Sequence, residues 1–250
     1  MTKIQNIITF WIDAFFIGIV FYVICQYLPY RIEHFTNLHK VHAHRANTLT
    51  KLQQAHWYYE GVELDVYYDE ITDTFDIFHP PAQSIGLSLE EYLSKITDKK
   101  LKIWLDFKNL TEANKIPARA KLNALLSKFQ LKKQMFLVES KHIIHLQYFK
   151  ANGFKTSYYV PSDLYQSNLC YKDSIYNLIA RYNKQSISFT HHNYNELHHK
   201  FPLRHKYVWA LFGHPLGKTR LKQMHSTRQI LKDSTVKRLL VPFKSIGGNR

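Results

Sequence analysis

Cysteine is nearly absent from this 250-residue chain, with Cys25 and Cys170 the only two. Two thiols build neither a disulfide framework nor a thiolate metal centre, so the fold and its chemistry must rest on other groups. Acidic residues are scarce as well: 19 against 34 lysines and arginines leaves a formal charge of +15, with 15 histidines besides. That balance selects anionic partners, phosphates and phospholipid head groups among them. The basic residues are spread along the chain and neither a zinc finger nor an RNP stretch is present, so nucleic acid is not an expected partner. Internal repeats and low-complexity tracts are also missing, which leaves one ordinary domain with a modest appendage.

Long hydrophobic runs are missing everywhere except at the start. In MTKIQNIITFWIDAFFIGIVFYVICQYLPYR, Ile7 to Leu28 is apolar apart from Asp13 and a few neutral polar residues, close to the ~20 residues that cross a bilayer. The run is long for the core of a cleaved signal peptide and no small-x-small site follows it. Ile24 before Cys25 does not suit a lipoprotein site. The expectation is a single-pass membrane anchor over 1–30, a linker over 31–40 and one domain over 41–250. Asp13 at mid-helix would cost roughly 2.5 to 3.5 kcal/mol, so an amphipathic or buried helix remains the alternative. Lys3 and Arg31 lie on opposite flanks and do not decide the orientation; an extracytoplasmic domain is the expectation.

From residue 40 onward, short apolar runs alternate with helical stretches. The strand candidates are Lys40–Arg45, Gly61–Tyr67, Leu101–Lys108, Gln134–Glu139, Lys155–Val160, Ser186–His191, Lys206–Phe212 and Arg238–Val241. Helical segments fall near Thr48–Tyr58, Leu89–Ile96, Asn114–Lys128, Lys141–Asn152, Asp173–Asn183, Tyr194–Lys200 and Gly217–Lys232. Strands separated by helices call for parallel pairing with crossovers, and eight strands close a barrel. The predicted fold is α/β: a small (β/α)8 TIM barrel preceded by one N-terminal transmembrane helix. A doubly wound open sheet fits the same alternation. Only PFKSIGGNR follows the last strand, too little for a full eighth helix, so the barrel is expected to be thinly walled on that side.

Two of these strands carry charge where packing gives no reason for it. The period of two sends Glu63 and Asp65 of GVELDVYY to one face and Val62, Leu64 and Val66 to the other. In LKIWLDFKNL it groups Trp104, Asp106 and Lys108 against Ile103, Leu105 and Phe107. Like charges on one strand face repel, and strands are depleted in Asp and Glu. With the apolar sets under the helices, Glu63, Asp65 and Asp106 converge at the barrel mouth, where parallel barrels carry their active sites. Hard oxygen donors without thiolate suit Mg²⁺ or Ca²⁺. A salt-bridge network centred on Lys108 is the simpler reading of the same residues. His44 ends the first strand beside Arg45, and FDIFHPP places His79 soon after the second.

HAHRANT, GVELDVYYD, FHPP and WLDFKNL, in that order, resemble the glycerophosphodiester phosphodiesterase superfamily, whose barrels open with His-Arg and carry Glu-x-Asp on the second strand. The Asp-x-Lys pair of LDFKN is similar to the sphingomyelinase D relatives, and HPP with LDFK is similar to the menorin branch. Residues 42–109 carry this resemblance. It implies His44 and His79 as acid/base residues, Glu63, Asp65 and Asp106 as ligands of one divalent cation, Mg²⁺ or Ca²⁺, and Arg45 and Lys108 as phosphate-holding cations. Pro80 stands where the phosphodiesterases usually have Asp, and Asp106 where many of them have Glu.

The expectation is a membrane-anchored, metal-dependent phosphodiesterase acting on a glycerophosphodiester or phospholipid head group, with attack by a substrate hydroxyl giving a cyclic phosphate. Trp209 is expected to bind substrate, with Glu139, Tyr159, His191 and His192 as further pocket candidates. HHNYNELHHK, residues 191–200, is rich in histidine but fits no closed zinc spacing. A non-catalytic barrel that binds anionic lipid or glycan head groups is the rival from another class, and a cytosolic phosphate-sugar enzyme is a third reading.

Overall fold

The structure, a computed structural model, describes residues 3–27, 31–212 and 220–245. It opens on a 25-residue helix, α1 (Lys3–Tyr27), whose stretch Ile4–Val23 has a mean hydropathy of 1.9 and no buried residue. That helix is long and apolar enough to cross a membrane. The expected end of the anchor at 28–30 lies outside the described residues.

The alternation that follows is β1 (Val41–His44), α2 (Leu49–His56), β2 (Gly61–Asp69), β3 (Thr74–Ile77), α3 (Leu89–Ser94), β4 (Lys102–Phe107) and α4 (Lys115–Lys128). It continues through β5 (Phe136–Ser140), α5 (Ile143–Ala151), β6 (Lys155–Tyr159), α6 (Leu169–Arg181), β7 (Ser186–Thr190) and α7 (Tyr194–Lys200) to β8 (Lys206–Trp209), α8 (Arg220–Lys232) and β9 (Val236–Pro242). The start of the last helix expected at Gly217 lies outside the described residues.

All strands but β3 run parallel to their neighbours, and β1 pairs with both β2 and β9, so eight strands close on themselves. The fold is therefore a (β/α)8 barrel and not the open doubly wound sheet. Polar caps start several of the helices: the Thr48, Ser88 and Asn168 side chains accept from the backbone N–H three residues on, that of Lys51, Glu91 and Tyr171. Val62, Leu64 and Val66 join the apolar layer under the helices together with Ile103, Leu105 and Phe107, as the period of two requires.

Two elements depart from the predicted pattern. The second strand runs on past Tyr67 to Asp69 and turns back through β3 as an antiparallel hairpin outside the barrel. Asp69 fixes that turn by accepting from Ile71 N and from the Thr72 hydroxyl, and Asp73 completes it at a positive φ of 51°. Ile32–Lys40, expected as linker, forms 3-10 turns that pack on α8 and β9, burying Glu33 and His34. Lys40 ties this segment to the end of α8 through Leu231 O at 2.8 Å and Asp233 O at 2.9 Å. These turns cover part of the wall beside α8 and β9.

Inside the barrel, Trp104, Leu137, Tyr207 and Leu240 form a separate apolar layer, with Trp209 against it. Toward the strand C-termini, Glu63, Asp65, Asp106 and Glu139 gather with His44, His79 and Lys108. Toward the strand N-termini, Lys102, Lys155 and Arg238 line a separate cavity without acids. The lumen is thus polarised, and the layer keeps the two charge sets apart.

Candidate active site

The mouth is assembled by the turn after β1. Arg45 has a φ of 54°, and this left-handed residue aims its N–H at Glu63 Oε2, 2.7 Å away. Holding a side chain other than glycine there costs roughly 1 to 3 kcal/mol, which a backbone bond to a buried carboxylate offsets. Ala46 N then donates to Glu63 O at 2.8 Å, and Asn47 clasps Asp65 twice: Nδ2 donates to Oδ2 at 2.7 Å and Oδ1 accepts from Asp65 N at 3.0 Å. His44 Nε2 comes to rest 3.7 Å from Glu63 Oε2.

Glu63, Asp65 and Asp106 place one ligand oxygen each within 4.8 Å of one another. The register sets Asp65 directly beside Asp106 and Asp106 beside Glu139 on the next strand. Lys108 Nζ lies 2.6 Å from Asp65 Oδ1 and also donates to Asp106. The Arg45 guanidinium is 3.9 Å from Asp65, and His79 Nδ1 faces Asp65 Oδ1 at 3.4 Å. His44, Arg45, Glu63, Asp65, His79, Asp106 and Lys108 are thus gathered at one place.

The electrostatics show how crowded this charge is. Burial, then Asp65 and Asp106, push Glu63 well above the usual carboxylate range, with the Arg45 N–H pulling the other way. Burial also acts to raise Asp65, but His79 facing it and donation from Lys108 and Asn47 outweigh burial and hold that carboxyl well below its ordinary value. Asp106 is raised by burial, with Lys108 opposing. Burial lowers His44 to about 3, aided by Arg45, so its ring is neutral near pH 7. Three crowded carboxylates, of which Glu63 favours a proton, make a donor set that fits a hard divalent cation.

Glu139 is a fourth buried acid at this mouth. Its Oε2 accepts from Trp104 Nε1 at 2.8 Å while Oε1 lacks a hydrogen-bond partner, and burial, then Asp106, raise it well above the carboxylate range. Across the mouth, Trp209 packs on Tyr159 at 4.8 Å. It lines a pocket of about 340 Å³ with Tyr165, His191 and His192. Tyr165 stacks on His192 at 4.9 Å, and His191 packs on Phe212 at 4.3 Å. The pocket is linked to the acids through Tyr159, which packs on Trp209 and feels the charges of Glu139 and Asp106. In the histidine-rich 191–200 stretch, His198 instead pairs with Asp233 at 2.9 Å on the outside of the barrel.

No known family model and no curated protein matches the chain. Solved structures do. A glycerophosphodiester phosphodiesterase from Parabacteroides distasonis superposes with a TM-score of 0.57 at 14% identity, covering 81% of this chain and 92% of that one. The chain shares the (β/α)8 barrel fold of this phosphodiesterase. A second barrel of this fold, from Thermotoga maritima, gives 0.54 at 16% identity over 81% and 93% of the two chains. A phosphodiesterase from Oleispira antarctica, crystallised with the product sn-glycerol-3-phosphate, gives 0.54 at 14% identity over 83% and 94%.

Asn47 was not singled out in the sequence although it bonds both to the Asp65 side chain and to its backbone. Lys51, whose Nζ donates to Arg45 O at 3.0 Å, was likewise missed. The one available signal was position: Asn47 lies in the turn that follows the His-Arg pair, and Lys51 in the first turn of α2 directly after it.

Proposed function

We propose that the chain is a phosphodiesterase of the glycerophosphodiester phosphodiesterase kind, with Glu63, Asp65 and Asp106 holding one Mg²⁺ or Ca²⁺. The observation that carries this reading is the convergence of those acids between two histidines, His44 3.7 Å from Glu63 and His79 3.4 Å from Asp65. The cation, when bound, supplies positive charge to oxygens that grow more negative as the phosphodiester reacts. Arg45 and Lys108 add to that charge from the protein. His44, neutral near pH 7, takes the proton of a substrate hydroxyl as its oxygen attacks phosphorus and the bond to the leaving alcohol breaks. His79 gives a proton to the departing oxygen, and the cyclic phosphate formed opens with water as the two roles reverse. Asp65 stands in for the partner that Pro80 removes, since it faces His79 Nδ1 directly.

The 340 Å³ pocket beside Trp209 and Tyr159 is the place for the leaving alcohol, and its aromatic walls suit a lipid or choline-like group over bare glycerol. α1 acts as a single-pass anchor over residues 1–30, with the barrel from residue 41 outside the cytoplasm. The Tyr22 hydroxyl lies 3.9 Å from Met224 Sδ in the first half of α8, the half nearer the mouth, which supports a mouth turned toward the bilayer. Lys108 already neutralises two of the acids, and this favours one second reading: a barrel that binds head groups without cleaving them. Phosphorus NMR on a panel of glycerophosphodiesters, lysophospholipids and sphingomyelin separates the two. A cyclic phosphate or monoester resonance is expected, and saturable binding with every diester intact would leave the binding module standing.

A further inference from the structure

At the end of the barrel opposite the acids, the strand N-termini surround a cavity of about 410 Å³ whose lining contains no Asp or Glu. Lys102 and Lys155 begin β4 and β6, Lys237 and Arg238 lie at the start of β9, and Lys150 and Lys184 reach the same space from the end of α5 and the turn before β7. Acidic partners are almost lacking. Lys102 pairs with Glu60 at 2.7 Å, while Lys150 and Lys237 donate only to the backbone oxygens of Lys184 and Ser234. The side-chain amines of Lys155 and Lys184 have no hydrogen bond or ion pair among the described residues. Arg238, 4% exposed, donates to Ile103 O and Met135 O and has no carboxylate partner among the described residues.

This clustering is uncomfortable for the protein by itself. Lys155, Lys184 and Lys237 are exposed at the rim of the cavity, and partial desolvation, then Arg238 and Lys102, hold Lys155 below the usual lysine range. Burial, then Lys184 and Arg204, do the same to Lys150. The acids at the mouth give no relief, because the layer of Trp104, Leu137, Tyr207 and Leu240 stands between. A set of like charges converging on a cavity, with no carboxylate to neutralise them, is not what packing selects. An anionic occupant removes the repulsion.

We propose that this cavity is a second anion site, which takes a small soluble molecule bearing more than one phosphate group. The number of phosphates follows from charge: four lysines and an arginine stand without an acidic partner, and one phosphate monoester carries at most about −2. The volume lies within the roughly 300 to 1,000 Å³ of small-ligand pockets. A soluble source is chosen over a lipid head group because α1 meets the barrel on the half nearer the mouth, a choice that rests on the anchor reading. The site is independent of the phosphodiesterase reading.

The test is calorimetric titration of the full chain with sodium pyrophosphate, in phosphatidylcholine nanodiscs with chelator present so that the mouth holds no metal. Saturable binding is expected. Lys155→Gln is expected to weaken it roughly tenfold, the scale of one lost charge-assisted hydrogen bond, and Lys155→Arg to restore most of it. Lys150→Gln, on the helix end, reads the same loss if Lys155→Gln does not fold. Asp106→Asn is expected to leave the affinity unchanged. The absence of pyrophosphate binding, binding indifferent to both lysine variants, or binding lost in Asp106→Asn would overturn the proposal. Displacement of pyrophosphate when the nanodiscs contain a bisphosphorylated phosphatidylinositol would overturn the soluble source in favour of a lipid head group.

Discussion

Replacing Lys108 with Met tests whether the acid cluster needs a cation of either kind. Met keeps the length and much of the volume of the lysine stem and removes only the ammonium that sits on Asp65, at 2.6 Å, and on Asp106. Breaking a buried pair from one side costs about 3 to 5 kcal/mol. The Lys108 side chain is 18% exposed and the mouth opens to water, so the lower end, about 3 kcal/mol, applies. For a domain of this size each kcal/mol moves Tm by roughly 2 to 4 °C, so a drop of about 6 to 12 °C is expected with chelator present. A divalent cation should then take over the work of the ammonium. At a concentration 100 times its Kd, a ligand specific to the folded state adds about 2.7 kcal/mol, nearly the whole loss. The assay is thermal unfolding by circular dichroism of the full chain in detergent, with chelator or with a Mg²⁺ or Ca²⁺ titration. An unchanged Tm in chelator would mean that Lys108 does not compensate the acids, and a deficit that no cation restores would mean that the acids are not a metal set.

His44→Ala and His79→Ala should each lower turnover by roughly 10² to 10⁴, with the double variant little worse than the poorer single one in steady-state kinetics; additive losses would separate the two roles. Gly61→Ala should unfold or severely destabilise the barrel. Its Cβ would meet the His42 ring at 2.4 Å and Lys102 O at 2.6 Å, and the second of these is backbone that no rotamer change relieves; a near-normal melt would contradict it. Asp233 accepts from the Tyr194 hydroxyl, Thr235 N and the Thr235 hydroxyl, with His198 at 2.9 Å, and its pKa is lowered although burial alone would raise it. A depressed carboxylate contributes stability that is full above its unfolded value, about 3.9, and is lost as pH falls through its folded one. Asp233→Asn should therefore cost about 1 to 3 kcal/mol near pH 7 and progressively less as pH falls below about 3.9, as read by urea unfolding across pH; a cost that does not vary with pH would assign it to hydrogen bonding alone.

The barrel was legible because its strands are short apolar runs spaced by helix-length segments, a rhythm that only parallel pairing satisfies. The mouth was legible because Glu63, Asp65 and Asp106 interrupt apolar alternation at a period of two, which names their face as well as their type. Asn47 was hidden because its part depends on the left-handed turn at Arg45, and only that turn brings it onto Asp65. Strand β3 was hidden because its pairing is fixed by the Asp69 turn, not by hydrophobic pattern. The basic end of the barrel was invisible for a further reason: its lysines and arginine lie far apart between residues 102 and 238 and meet only when the sheet closes. Segment 32–40 resembled a linker because its buried pair, Glu33 and His34, is polar.

The most direct measurement is release of a phosphomonoester from a glycerophosphodiester by the full chain, read in three samples: with divalent cation, with chelator, and as His44→Ala with divalent cation. Turnover in the first and its loss in the other two is the expected result. Intact substrate in the first sample, with the chain folded and the diester bound, or equal turnover in all three, would contradict the assignment of the mouth as a metal-dependent phosphodiesterase site.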